Sequence, residues 1–103
     1  MSSIKIRTEK LDVYTELRIL ITHPMENGRN RDPLSGDLIP AHFITELNIL
    51  VNGQLVISAD MGGSISKNPY FTLQLKDLKS GDRISVDWVD NLRLSDREDY
   101  LIK

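Results

Sequence analysis

The chain has 103 residues and no cysteine. Disulfides, thiolate metal sites and covalent chemistry through sulfur on this chain are therefore excluded. It has no basic excess: 13 Lys and Arg face 15 Asp and Glu, for a formal net charge of -2. Phosphate neutralisation, the main term in nucleic-acid affinity, has no footprint here. No run approaches the ~18 apolar residues of a membrane helix. The amino terminus, MSSIKIRTEKLDVYTE, lacks the apolar stretch of a signal peptide, so the expectation is a chain with no export signal of its own. Helical spacing is missing too: no segment of ten or more residues carries it.

What is present is alternation. TELRILITH puts Leu17, Ile19 and Ile21 in one phase, and Glu16, Arg18, Leu20 and Thr22 in the other. FITELNILVNG sets Phe43, Leu47, Ile49 and Val51 against Glu46 and Asn48. Asn52-Gly53 then signals a hairpin, with QLVISAD as the returning strand. YFTLQLK phases Phe71, Leu73 and Leu75, and DRISVDWVD phases Ile84, Val86 and Trp88. Further turn signals stand at Gly62-Gly63, Asn68-Pro69 and Ser80-Gly81. About seven short strands in one domain, residues 1–103, predict an all-β, antiparallel two-sheet sandwich, with a small barrel as the rival. The charges of the last strand, Arg93, Asp96, Arg97, Glu98 and Asp99, read as protection of a sheet edge.

Candidate chemistry is sparse. His23 and His42 flank a long polar loop, ITHPMENGRNRDPLSGDLIPAHF, and Met25 follows His23 closely. A histidine–methionine set suits copper, so His23, Met25 and His42 define a candidate metal site. The competing reading is that both histidines bond loop backbone. No Gly-x-Ser-x-Gly elbow is present, and Gly62-Gly63 lacks the lysine of a phosphate loop. Asp90-Asn91 reads as a turn cap. Leu20, Ile44, Leu50, Val56 and Val89 fall out of phase with the core and would form an adhesive patch if they shared one outer face. Pro24, Pro33 and Pro40 stiffen the loop, and Met25, Leu34, Leu38 and Ile39 are expected to anchor it on the sandwich. Loops of this length in compact domains are commonly functional.

Four motifs in order, HPMENG (His23–Gly28), IPAHFI (Ile39–Ile44), NPY (Asn68–Tyr70) and WVD (Trp88–Asp90), resemble the SoxZ family from about Ile4 onward. The resemblance implies an immunoglobulin-like sandwich of about seven strands with no cofactor and no catalysis of its own. It further implies a tight heterodimer with a SoxY-like partner, which carries sulfur intermediates of thiosulfate oxidation on a cysteine in a C-terminal arm and presents them to the other enzymes of the pathway. By the same resemblance the pair is periplasmic, exported on the partner's signal. A chain without thiols also suits a place beside a reactive sulfur adduct. The motif residues His23, Pro24, Met25, Asn68, Pro69, Tyr70 and Trp88 are the candidate partner-binding set. The isolated chain is a candidate homo-oligomer. Where SoxZ proteins often carry an acidic, glycine-containing turn after WVD, this chain has NLRLSD, and Asn91 is expected to take the left-handed conformation. The alternatives are a metal-binding periplasmic sandwich and a small sandwich that adds an extended peptide to a sheet edge.

Overall fold

The computed structural model describes residues 2–62 and 65–103. The strands are β1 (Ile4–Lys10), β2 (Thr15–Ile21), β3 (Ile44–Val51), β4 (Gln54–Asp60), β5 (Tyr70–Leu75), β6 (Arg83–Asp90) and β7 (Ser95–Leu101). They form two antiparallel sheets, β1-β2-β5 and β4-β3-β6-β7. Among the described residues there is no helix. This is the expected all-β sandwich. The expected turn at Gly62-Gly63 falls partly outside the described residues, at Gly63.

The core is the alternation made physical. Leu17, Ile19 and Ile21 of β2 meet Ile84, Val86 and Trp88 of β6, with Ile4, Ile6, Leu47 and Ile49 around them, all buried. Each such aliphatic side chain removed from water contributes about 1.5–3 kcal/mol. The β3–β4 hairpin turns at Asn52 (φ 50°) and Gly53 (φ 82°), the paired left-handed geometry that asparagine and glycine favour.

Ile44 departs from its expected phase. It is fully buried, because Thr45 is an extra residue where Ile44 pairs with Asp90 and Glu46 with Val89. That bulge turns the strand's start by one residue, and the Thr45 hydroxyl donates to the Val89 carbonyl (3.1 Å). The other out-of-phase residues do not form one patch, although the β3–β4 register break sets Val56 beside Leu50. Leu20 lies on the three-stranded sheet. On the four-stranded sheet, Asn48 and Asp87, which hydrogen-bond each other (2.9 Å), separate Leu50 from Val89.

The fourth strand positions the edges. It pairs with β3 rather than with β5, unlike the constant-type immunoglobulin arrangement, in which the fourth strand covers the fifth. β7, charged as expected, is an edge strand lying against β1. Its Asp96 accepts from the amide (2.7 Å) and hydroxyl (2.7 Å) of Ser3, and Ser3 Oγ accepts from the Trp88 indole (3.0 Å).

The long loop is an arm, not a covering. Glu26 pairs with His42 and Arg31 with Leu38, both antiparallel. The tip is Asp32–Asp37. The Asp32 carboxylate accepts from the amides of Leu34 (2.8 Å) and Ser35 (3.3 Å), and the Asp32 carbonyl accepts from Gly36 N–H (2.8 Å). Of the four expected anchors, Met25 is buried and Ile39 half-buried, but Leu34 is 97% and Leu38 54% exposed. The tip's own hydrogen bonds hold it upright, so these leucines never reach the sandwich. The molecule measures 51 × 24 × 23 Å. An eight-residue strand spans about 26 Å and six arm residues about 20 Å more. The radius of gyration is 15.7 Å, against about 13 Å for a compact chain of this length.

Candidate functional site: the root of the arm

The arm leaves the sandwich at His23 and returns at His42, and both rings meet one carboxylate. Asp90 Oδ2 lies 3.1 Å from His23 Nε2 and 2.8 Å from His42 Nε2. The rings stand edge to face at 4.6 Å, and His23 packs edge-on to Trp88 at 5.0 Å. The Asp90 side chain is fully buried and that of His23 nearly so, while His42 is about a quarter exposed.

Each member is placed by local sequence. His23 precedes Pro24, which holds it extended. Its amide donates to Asn68 Oδ1 (3.0 Å), and its carbonyl accepts from Asn68 N–H (3.0 Å). Met25 takes a positive φ of 47°, which aims its amide at His23 Nδ1 (3.1 Å). The Met25 sulfur accepts from Ile44 N–H (3.4 Å). Asp90 ends β6 and caps the following turn: its Oδ1 accepts from the amides of Leu92 (3.0 Å) and Leu94 (2.9 Å). The left-handed residue of that turn is Arg93 (φ 66°), not Asn91 as expected. The turn runs Asp90–Arg93, closed by Arg93 N–H to the Asp90 carbonyl (3.0 Å), and its third step falls on Arg93. Asn91 is occupied otherwise. Its Oδ1 accepts from Phe43 N–H (2.7 Å) and its Nδ2 donates to the Ala41 carbonyl (2.9 Å), which pins the arm's return strand.

These bonds fix the protons. Met25 N–H has only a hydrogen to offer, so His23 Nδ1 presents its lone pair and Nε2 carries the ring hydrogen toward Asp90. Burial by itself pushes the Asp90 carboxyl up. The hydrogen bonds from His23, the Leu94 amide, His42 and the Leu92 amide together outweigh it and hold the group below the ordinary carboxylate range.

His23, His42 and Asp90 have ligand atoms within 4.8 Å of one another, a possible cation set among the described residues. A metal on His23 Nε2 would force the ring hydrogen onto Nδ1, against the Met25 amide. The third member of the compact set is Asp90, while the Met25 sulfur accepts from Ile44 N–H. The arrangement fits a closed hydrogen-bond brace. One equivalent of zinc or copper should leave the melting temperature within about 1 °C, since only a ligand that prefers the folded state raises it; a thermal scan with metal analysis checks this.

The candidate partner-binding residues divide. His23, Met25, Pro69 and Trp88 are buried in the chain, and Pro24, Asn68 and Tyr70 are exposed. Sequence reasoning flagged both histidines but missed Asp90 as their shared acceptor and Asn91 as the second clamp; the acid that closes WVD was the available signal.

Fold and site together define a β-sandwich whose assembled polar cluster braces a projecting hairpin. The chain matches the family model described as sulphur oxidation protein SoxZ over residues 4–100. It belongs to that family, and is thus a sulfur oxidation protein. No curated protein matches it.

Proposed function

We propose that this chain is the non-catalytic subunit of a sulfur-carrier pair. It binds a SoxY-like subunit, whose cysteine-bearing arm holds the sulfur intermediate, and it offers surface to the enzymes that visit that arm. The pair works in the periplasm, exported on the partner's signal. One observation carries this reading: among the described residues the nearest thing to a reactive constellation, His23–Asp90–His42, is buried at His23 and Asp90 and is given over to holding an arm away from the body. Such chemistry supports recognition rather than turnover.

Co-expression with the cognate SoxY-like subunit tests it. A one-to-one complex by native mass spectrometry is the expected result, together with no consumption of thiosulfate by this chain alone. Failure to associate, or turnover of a reduced sulfur anion by the isolated chain, overturns it.

A further inference from the structure

Four strands border the two sheets: β1, β5, β4 and β7. Natural sheets protect such borders with charge, bulges, proline or a cover. β1 carries Lys5, Arg7, Glu9 and Lys10 and lies against β7. β7 carries Asp96, Arg97, Glu98 and Asp99. β4 has a register break that leaves Val56 as the extra residue, and it ends in Asp60. β5, Tyr-Phe-Thr-Leu-Gln-Leu, has no charge, no proline and an unbroken register. Its cover in a constant-type sandwich would be the fourth strand, which here has gone to β3.

The free groups can be located. Ile21 N–H donates to the Pro69 carbonyl (3.0 Å), which fixes the alternation of the β2–β5 ladder. Phe71, Leu73 and Leu75 therefore turn their backbone groups to β2. Tyr70, Thr72 and Gln74 turn theirs outward, where no described strand receives them. Phe71, Leu73 and Leu75 point to the core yet stay only half-buried, as do Ile57, Met61 and Ile65. On the outer face, Lys5, Arg7 and Arg18 stand with Leu20 and Tyr70 around a shallow hollow. Arg18 is paired with Glu9 and Glu16, but among the described residues neither Lys5 nor Arg7 has a carboxylate partner.

We infer that β5 is the docking edge for the partner subunit, which adds an extended strand there with apolar residues facing inward and brings an acidic surface beside that strand over Lys5 and Arg7 on the outer face. This rests on the reading of the chain as a partner-binding subunit and names the surface. Outward backbone groups call for a strand rather than a helix. The half-covered inner row calls for apolar residues at every second position. The unpaired cations, two strands in from β5, call for carboxylates on the partner surface that overlies the outer face. A second copy of this chain fits less well, because pairing β5 with itself would extend one cationic face across a continuous sheet.

Thr72→Pro is the decisive variant. The Thr72 N–H points away from β2, so proline is tolerated there as on other edges but blocks an incoming strand. Ser58→Pro on β4, whose N–H also points outward, is the control. Affinity for the SoxY-like subunit should fall at least tenfold for Thr72→Pro and less than about threefold for Ser58→Pro. Lys5→Glu with Arg7→Glu should weaken binding at low salt. In wild type, the Tyr70, Thr72 and Gln74 amides should become protected from hydrogen exchange only in the complex, a readout that stands even if the proline variant unfolds. If the wild type binds its partner while these amides stay unprotected, the edge assignment falls and the subunit reading survives. Unchanged affinity in a folded Thr72→Pro has the same meaning. Unchanged affinity in the charge-reversed variant overturns the acidic complement. Protection of β5 in the isolated chain, lost with dimer mass in Thr72→Pro, makes a second copy the occupant and overturns the proposal. No binding by wild type overturns both readings.

Discussion

Replacing Asp90 by alanine is expected to lower the melting temperature by roughly 12–40 °C. One carboxylate serves four donors: Oδ1 takes the Leu92 and Leu94 amides, and Oδ2 takes the His23 and His42 rings. Truncation leaves those donors without an acceptor. His23 is 3% exposed, so water does not readily replace the lost oxygen. Breaking such a buried polar set costs about 3–5 kcal/mol. In a domain near 100 residues, each ~1 kcal/mol moves the midpoint by about 4–8 °C. Asp90→Asn should fall between, since one oxygen survives while the new amide faces N–H donors.

The same carboxylate predicts an acid limb. Its folded-state pKa is lower than its unfolded one. Its contribution is therefore complete above the unfolded value of about 3.9 and fades as pH drops through the folded value. Asp96 adds to that limb, held low mainly by the Ser3 hydroxyl and then by the Ser3 amide. A plot of melting temperature against pH should be flatter for Asp90→Ala below about pH 4, yet not flat. A variant melting within about 3 °C of wild type would sink the brace.

The second large effect concerns the arm. Exchanging Arg29–Asp37 for a short Gly/Ser linker should cut pathway turnover ten- to hundredfold while the sandwich keeps its stability. Leu34 at the tip is 97% exposed, so it contributes nothing to the fold. Seated in a partner's pocket, it would gain about 1.5–3 kcal/mol, which is ten- to more than hundredfold in affinity. The Asp32 turn and the Arg31 guanidinium, which donates to the Gly36 carbonyl (2.9 Å), hold the tip ready and spare ordering entropy on docking. Wild-type turnover together with wild-type affinity for the SoxY-like subunit would show the arm to be an inert crossover. Leu34→Ala alone should reproduce most of the loss if the tip is the anchor.

Much of this was legible in the chain. Leu17, Ile19 and Ile21 on β2, and Ile84, Val86 and Trp88 on β6, lie inward as period-two reading requires. Asn52-Gly53 announced its hairpin. The bulge at Thr45 was not legible, because the alternation of β3 stays regular through Leu47, Ile49 and Val51 and nothing local marks the extra residue. The arm was hidden for a different reason. Its pairings, Glu26 with His42 and Arg31 with Leu38, join segments of no common phase, and its geometry is fixed by side-chain bonds of Asp32, Arg31 and Asn91. His23 and His42 stood out as residues, yet their shared acceptor lies 67 and 48 positions away in sequence. Asp90 could be seen as a turn cap because that task is local. Its second task depends on β3 and β6 being neighbours.

The protruding hairpin also governs how the protein travels. A rod-like outline with a long axis about twice the others meets more hydrodynamic friction than a sphere of equal mass. A single copy will therefore leave a gel-filtration column slightly ahead of globular standards of its own mass. Sedimentation velocity should give a raised frictional ratio at monomer mass, and trimming the hairpin should shift the elution later without any change in association.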